Sequence, residues 1–292
     1  MGRATQLKCV FSIDVEDWFH ILDVDSTPPL AEWTKLPSRV EANFYRLLDM
    51  LSEAGVPATC FFLGWLGERY PHLVVEAERR GHEVASHGYA HNLVHRMRPR
   101  EFLEDASKSK RILEDVTGRA VMGYRSAGFS VTQDTPWFFS LLVRAGYTYD
   151  SSVFPTSCTH GGLAHASLSP YCCETDEGPL MEFPMTVATI FGQRICAFGG
   201  GYLRLAPLWL IQYLSGKVES DNRPVIYYVH PREIDPDHPR LPMNLRRRFK
   251  CYVNLRTTER KVRRILPLHH FVPFAALAAA GVADATPAEV AR

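Results

Sequence analysis

Short apolar runs alternate along this chain with stretches of helical period. The first run, at residues 8–13, ends on the acids of Asp14-Val-Glu-Asp17. Ser38-Arg-Val-Glu41 then reads as a capping box opening a helix. Val40, Phe44, Leu47, Leu48 and Leu51 recur at steps of three and four, and Gly55 ends the pattern. Further strands are predicted at 58–63, 82–86, 121–124, 147–149, 180–183, 194–198 and 225–229. Helices are predicted at 71–81, about 100–116, 134–146 and 207–218, with Pro136 near the start of the third. A β-then-α rhythm of this kind means parallel strands with helical crossovers, hence an α/β fold.

The rhythm breaks at residues 18–37 and 151–178, which are rich in turn-forming residues. Irregular segments of that length are either substrate loops or surface insertions. No linker or internal repeat divides the chain, so residues 1–292 are read as one domain. Its core covers about 7–232, followed by an extension at about 233–281 and a tail at 282–292. Residues 240–264 hold ten Lys/Arg against the single acid Glu259. Within them, 257–266 has an amphipathic helical pattern. Such a helix has a solvated basic face, or one that meets an anionic membrane surface or a phosphate-bearing substrate. The apolar stretch 271–281 is too short to span a membrane and is expected to pack as a terminal helix.

Composition narrows the classes. With 292 residues, 46% of them hydrophobic, the chain can bury a large core. Lys+Arg number 33 against Asp+Glu 32, which argues against whole-chain affinity for nucleic acid. Met1–Lys8 reads as neither a signal-peptide core nor a myristoylation signal. The seven cysteines lack regular spacing and are expected to be reduced thiols, so a cytoplasmic location is expected. Cys158, His160, His165 and Cys172 match no familiar zinc spacing.

The candidate chemistry lies just after the predicted strands: Asp14, His87, His91, Arg125, Asp150 and His230. In parallel α/β folds these strand ends share one face, so residues scattered in sequence meet there. His87 and His91, four apart, would point the same way on a helical turn and share one ion. His95 extends the ladder, but the buried strand before His87 favours the first pair. Alternation sends Asp14 and Glu16 to one side of their strand and Val15 to the other. Three acids beside an apolar strand need cationic compensation, which a metal and an arginine would give. Taken alone, the acids would suit a solvated loop.

Five motifs in order carry a resemblance: Phe11-Ser-Ile-Asp-Val-Glu-Asp-Trp18, Ser86-His-Gly-Tyr-Ala-His91, Gly123-Tyr-Arg-Ser-Ala-Gly-Phe129, Tyr149-Asp-Ser-Ser152 and Tyr228-Val-His-Pro231. The set resembles the NodB-type polysaccharide deacetylases, carbohydrate esterase family four. Glu182-Phe-Pro184, Gly199-Gly-Gly-Tyr-Leu-Arg204 and Asn254-Leu255 look most like the branch found in exopolysaccharide loci, with a family-specific C-terminal region. The resemblance implies a distorted, incomplete (β/α) barrel. It also implies Zn2+, or another divalent transition metal, on His87, His91 and an acid that is either Glu16 or Asp17. By the same comparison Asp14 is the general base, Arg125 orients it, His230 is the general acid and Asp150 tunes or orients His230. Ala127 stands where relatives usually have proline.

The activity implied is metal-dependent hydrolysis of N-acetyl groups on an amino sugar, in a polysaccharide or a lipid-linked saccharide. Acid and base need opposite protonation states, so the rate should fall on both sides of a pH optimum. Trp18, Phe19, Phe129, Tyr202 and Trp209 are candidates to stack on sugar rings. Two other readings stand beside this one. The first is hydrolysis of another linear or cyclic amide on the same barrel. The second is a non-catalytic carbohydrate-binding or assembly protein of an exopolysaccharide system. The implied partner is an N-acetylated saccharide, with peripheral membrane contact possible in principle through the basic region. Oligomeric state is not readable from the sequence.

Overall fold

Strand β1 (Lys8–Val15) is buried at seven of its eight residues, because both faces of the sheet are covered. A computed structural model describes residues 7–157 and 159–281. The readings made for Met1–Gln6, for Cys158 and for the tail at 282–292 lie outside the described residues. Around β1 run β2 (Thr59–Phe62), β3 (Glu83–Ser86), β4 (Gly123–Tyr124), β5 (Tyr149–Asp150), β6 (Tyr171–Thr175), β7 (Gly178–Glu182) and β10 (Ile226–Val229). The order is β10-β1-β2-β3-β4-β5-β7-β6, parallel except for the β6–β7 hairpin. The short strand β11 (His270–Phe271) pairs with the start of β1, and β8 (Ala188–Ile190) and β9 (Gln193–Ile195) form a separate hairpin. The strand path does not close. The fold is α/β, a distorted, incomplete (β/α) barrel.

Helices supply the crossovers. They are α1 (Val40–Ala54), α2 (Gly64–Arg69), α3 (Pro71–Arg79), α4 (Pro99–Thr117), α5 (Phe138–Arg144), α6 (Gly200–Leu205) and α7 (Leu208–Ser220). Helix α1 buries the predicted stripe of Val40, Phe44, Leu47, Leu48 and Leu51, and ends at Gly55 in the left-handed region. Its start differs from the predicted capping box. The Ser38 hydroxyl donates to Asp17 Oδ2 at 2.6 Å, and Asp17 also accepts from the backbone N–H groups of Arg39 and Val40. A carboxylate from a distant loop thus satisfies donors that the local serine was expected to satisfy.

Residues 151–178 are not wholly irregular, because they contain β6. Its Tyr171 and Cys173 are buried while Glu174 faces outward. Glutamate is a weak strand former and the run is only five residues long, so the alternation was hidden from a composition-based reading. The C-terminal region folds back on the barrel through α8 (Leu245–Tyr252), α9 (Leu255–Ile265), β11 and α10 (Phe274–Gly281). Helix α9 buries Leu255, Thr258, Val262 and Ile265. Part of its basic face is answered by acids, with Arg263 pairing Glu53 and Glu259. Phe274, at the start of α10, packs against Phe61, Tyr149 and Phe183. Among the described residues no helix is long and apolar enough to cross a membrane.

Strand alternation builds the barrel interior in layers. Val10, Phe61, Ala85, Tyr149, Met181, Ile226 and Phe274 share one apolar cluster. Two residues further along the same strands come Ser12, His87, Ser151, Phe183 and Tyr228 on the same face. One more step reaches Asp14 and His230. The apolar layer is the floor on which the polar groups stand.

Candidate active site

Arg125 lies at the centre of that polar layer and is fully buried. Its Nη1 donates to Asp14 Oδ1 at 2.7 Å and to Ser12 Oγ at 2.8 Å. Its Nε and Nη2 donate to the carbonyl and hydroxyl of Ser151, each at 3.2 Å. The guanidinium stacks 4.1 Å above the Phe61 ring. A planar fork held on three sides fixes the Asp14 carboxylate in one orientation.

Next to Asp14 stand Glu16, His87 and His91, each buried, with one candidate ligand atom from each within 4.8 Å of the others. His87 Nε2 is 3.3 Å and His91 Nε2 is 2.9 Å from Glu16 Oε1. These separations resemble the edges of a tetrahedron whose ligands lie about 2 Å from zinc. His87 Nδ1 lies 2.8 Å from the Arg125 carbonyl. That contact assigns the proton to Nδ1 and leaves the Nε2 lone pair facing Glu16. His91 Nδ1 is buried without a hydrogen-bond partner, and the buried Nε2 has only Glu16 Oε1 beside it. An imidazole buried with one nitrogen unpartnered and the other turned toward a carboxylate fits a ligand set better than a closed hydrogen-bond network. Burial by itself raises the Glu16 carboxyl, but the charges of His91 and His230 and the contact with His87 outweigh it. The carboxyl is held well below its usual range.

The two histidines do not sit on a helical turn as their spacing suggested. They belong to the loop after β3, where Gly88 has φ +74° and His91 φ +54°. A Cβ on Gly88 would stand 2.9 Å from Asp105 Oδ1, so both the backbone conformation and the space call for glycine. The left-handed conformation of His91 carries strain of about 1–3 kcal/mol, of the kind that gathers at functional sites. His95 is outside the cluster and contacts the Ser130 carbonyl at 3.3 Å.

Sequence left Glu16 and Asp17 as alternatives. The structure brings Glu16 to the histidines and sends Asp17 to the start of α1, where its oxygens are taken by Ser38, Arg39 and Val40. Alternation is the cause, since Asp17 follows Glu16 and faces away. Asp17 instead supports the site through His20, whose Nδ1 accepts from the Asp17 N–H at 3.0 Å. The His20 ring lies 6.0 Å from that of His91, and burial, followed by the nearby His91 charge, holds its pKa well below the usual value.

Asp150 also departs from its expected place beside His230. It lies between Tyr149 and Ser151, which face the barrel interior, so it points to the other face of the sheet. There it accepts from Ser152 and pairs in register with Glu182, and both carboxyls are fully buried. The residue at His230 is Glu233, whose Oε2 lies 3.1 Å from His230 Nδ1. Arg204 Nε donates to Glu233 Oε1 at 2.7 Å, and its other nitrogens donate to the carbonyls of Lys250, Cys251 and Val253. Burial alone raises Glu233, yet Arg204 and His230 hold it far below the usual carboxylate range. His230 Nε2 lies 3.8 Å from Asp14 Oδ2 and 3.6 Å from Glu16 Oε1. The signal for Glu233 was available as the fourth residue of His230-Pro-Arg-Glu, a capping-box spacing.

Asp14, Glu16, His91 and His230 open onto a cleft of about 230 Å3. Phe129 and Tyr202 line it. Trp18 and Phe19 are core residues, and Trp209 is exposed away from the cleft. A larger cavity of about 860 Å3 shares His20 and His91 but contains neither Asp14 nor His230, so the smaller cleft is the candidate reaction site. A second cluster, Cys9, Glu219 and His269, sits at the opposite end of β1, where burial pushes the Cys9 thiol up to about 12.

Comparison with known proteins fits this architecture. The polysaccharide deacetylase family matches residues 26–149, and a domain of unknown function, DUF3473, matches 151–279. A peptidoglycan deacetylase of Helicobacter pylori is 29% identical over 131 residues, which cover 45% of this chain and 40% of the relative. A Mycobacterium smegmatis structure assigned to the polysaccharide deacetylases superposes with a TM-score of 0.67 at 18% identity, covering 100% of this chain and 96% of that one. The PuuE allantoinase follows with a TM-score of 0.61 at 16% identity, covering 97% and 93%. These matches support a polysaccharide deacetylase domain in this chain. The chain spans less than half the length of the curated relative it matches.

Proposed function

We propose that the protein is a metal-dependent N-deacetylase acting on an acetylated amino sugar, within a polysaccharide or a lipid-linked saccharide of an exopolysaccharide system. The observation that carries the proposal is one cleft holding three distinct units. These are the Glu16–His87–His91 donor set, the Asp14–Arg125 pair and the His230–Glu233–Arg204 chain. Glu16, His87 and His91 would hold zinc or a similar divalent ion. When bound, the ion polarises the acetamide carbonyl and lowers the pKa of the attacking water. Asp14, oriented by Arg125, takes a proton from that water. His230, oriented by Glu233, donates a proton to the departing amine nitrogen. Acetate and the free amino sugar are the products. The proposal keeps a cytoplasmic site of action, argued from cysteine usage alone.

The test is acetate release from chito-oligosaccharides and lipid-linked N-acetyl sugars. Asp14→Asn and His87→Ala are each expected to reduce it at least about a hundredfold. Release at the wild-type rate by either variant would refute the mechanism.

A further inference from the structure

We infer that the reactive cleft is built for a saccharide carrying a phosphate group, received by Arg232, Arg247 and Lys250. The inference rests on the proposed deacetylase reading and names the substrate class for the same site. All three cations line the cleft that holds Asp14, Glu16 and His230. The acids there have partners of their own, Asp14 in Arg125 and Glu16 in the ion it would hold with His87 and His91. Arg204, a fourth cation on the same wall, is spent on Glu233 and three backbone carbonyls.

Arg232, Arg247 and Lys250 are different. Among the described residues, no carboxylate lies within ion-pair distance of any of them. Nε and Nη1 of Arg232 are buried without a hydrogen-bond partner, and so is Nε of Arg247. Arg247 uses Nη2 on the Leu22 carbonyl at 2.7 Å and faces His160 Nε2 at 3.4 Å, neither of which neutralises it. A buried charged donor left unsatisfied loses its hydration without replacement, so native structures rarely tolerate three such atoms in one place. An anion in the cleft supplies the missing acceptors. The guanidinium fork matches the oxygens of phosphate, and three cations suit a dianion better than a single carboxylate. The neighbouring large cavity has the opposite character, lined by Asp23, Asp25, Glu101, Glu104 and Asp105. The excess positive charge is therefore specific to the reactive cleft.

The test compares the zinc-loaded full chain on an N-acetyl amino sugar 1-phosphate and on the methyl glycoside of the same sugar. A preference in kcat/KM of about tenfold or more for the phosphate is expected, the scale of one charge-assisted hydrogen bond. Arg247→Ala and Lys250→Ala, checked for unchanged melting and zinc content, should bring that ratio toward one, and Arg247→Lys should restore part of it. Nucleotide-diphosphate and short polyprenyl-diphosphate sugars form two further arms, and the arm with the highest kcat/KM identifies the source of the phosphate. Equal rates on the phosphate and the methyl glycoside would overturn the inference and leave the deacetylase reading intact. An equal preference for a hexuronate-bearing analogue would overturn the phosphate assignment. If neither sugar is hydrolysed, calorimetry of the sugar phosphate on Asp14→Asn decides separately. Binding that weakens in Arg247→Ala supports the inference, and absence of binding overturns it.

Discussion

Arg125 joins the candidate base to a candidate metal ligand: its guanidinium donates to Asp14 at 2.7 Å and its carbonyl receives His87 Nδ1 at 2.8 Å. One residue thus sets the geometry of two functional groups from opposite ends of its own backbone and side chain. Arg125→Lys keeps the charge and loses the fork. It is expected to lower kcat about a hundredfold, because the base loses its fixed orientation. Arg125→Met leaves Asp14 buried without its partner and should cost about 3–5 kcal/mol of stability. Steady-state kinetics on the first variant and denaturant melts on the second check the two effects.

Glu233 is a positioning residue, acting on substrate only through His230. Glu233→Gln is expected to lower kcat by about 10–100-fold while KM changes little, since the lost interaction matters in the transition state. Glu233→Asp should recover part of the loss. A rise in KM with kcat unchanged would assign Glu233 to substrate binding instead.

Glu16 and Asp17 are neighbours in sequence with different work. Glu16→Gln should abolish stoichiometric zinc, measured by elemental analysis after dialysis. Asp17→Ala should retain the metal and lose about 1–2 kcal/mol of stability, as a helix start loses its cap. Loss of metal in both variants, with melting unchanged in Asp17→Ala, would reverse the assignment.

Much of the barrel was legible because its strands are short apolar runs bounded by turns, and because functional groups sit at their ends. Asp14, Arg125 and His230 follow that rule, each two residues beyond an inward-facing position. Asp150 was misplaced by one residue. Strand β5 is only Tyr149–Asp150, too short for its inward face to be read from a pattern. Strand β6 was hidden by its short length and by Glu174 at an outward position. The loop holding His87 and His91 was mistaken for a helical turn because a spacing of four fits both, and only the positive φ values of Gly88 and His91 distinguish them. Glu233 and Arg204 lie 29 residues apart and meet through tertiary folding, which no local pattern reports.

The Asp150–Glu182 pair gives a pH prediction away from the reacting groups. Burial and the adjacent Asp150 charge push the Glu182 carboxyl well above its ordinary value of 4.5. In the unfolded chain Glu182 ionises near that ordinary value. Its raised folded value therefore stabilises the fold fully below about pH 4.5, and the contribution is lost as pH rises through the folded value. Glu182→Gln cannot ionise, so its stability relative to wild type should improve with rising pH, by up to about 1.4 kcal/mol per unit. Parallel melting curves at pH 4 and pH 8 test this, and a difference that stays constant between them would contradict it.

The central claim is a divalent ion held by Glu16, His87 and His91 beside Asp14 and His230, performing N-deacetylation. Its most direct test measures zinc content and acetate release on one purified sample, before and after chelation and on re-addition of metal. The account predicts about one zinc per chain, acetate release that disappears with the metal, and recovery in wild type but not in Asp14→Asn. Acetate release that persists in metal-free protein, or full recovery in Asp14→Asn, would contradict it.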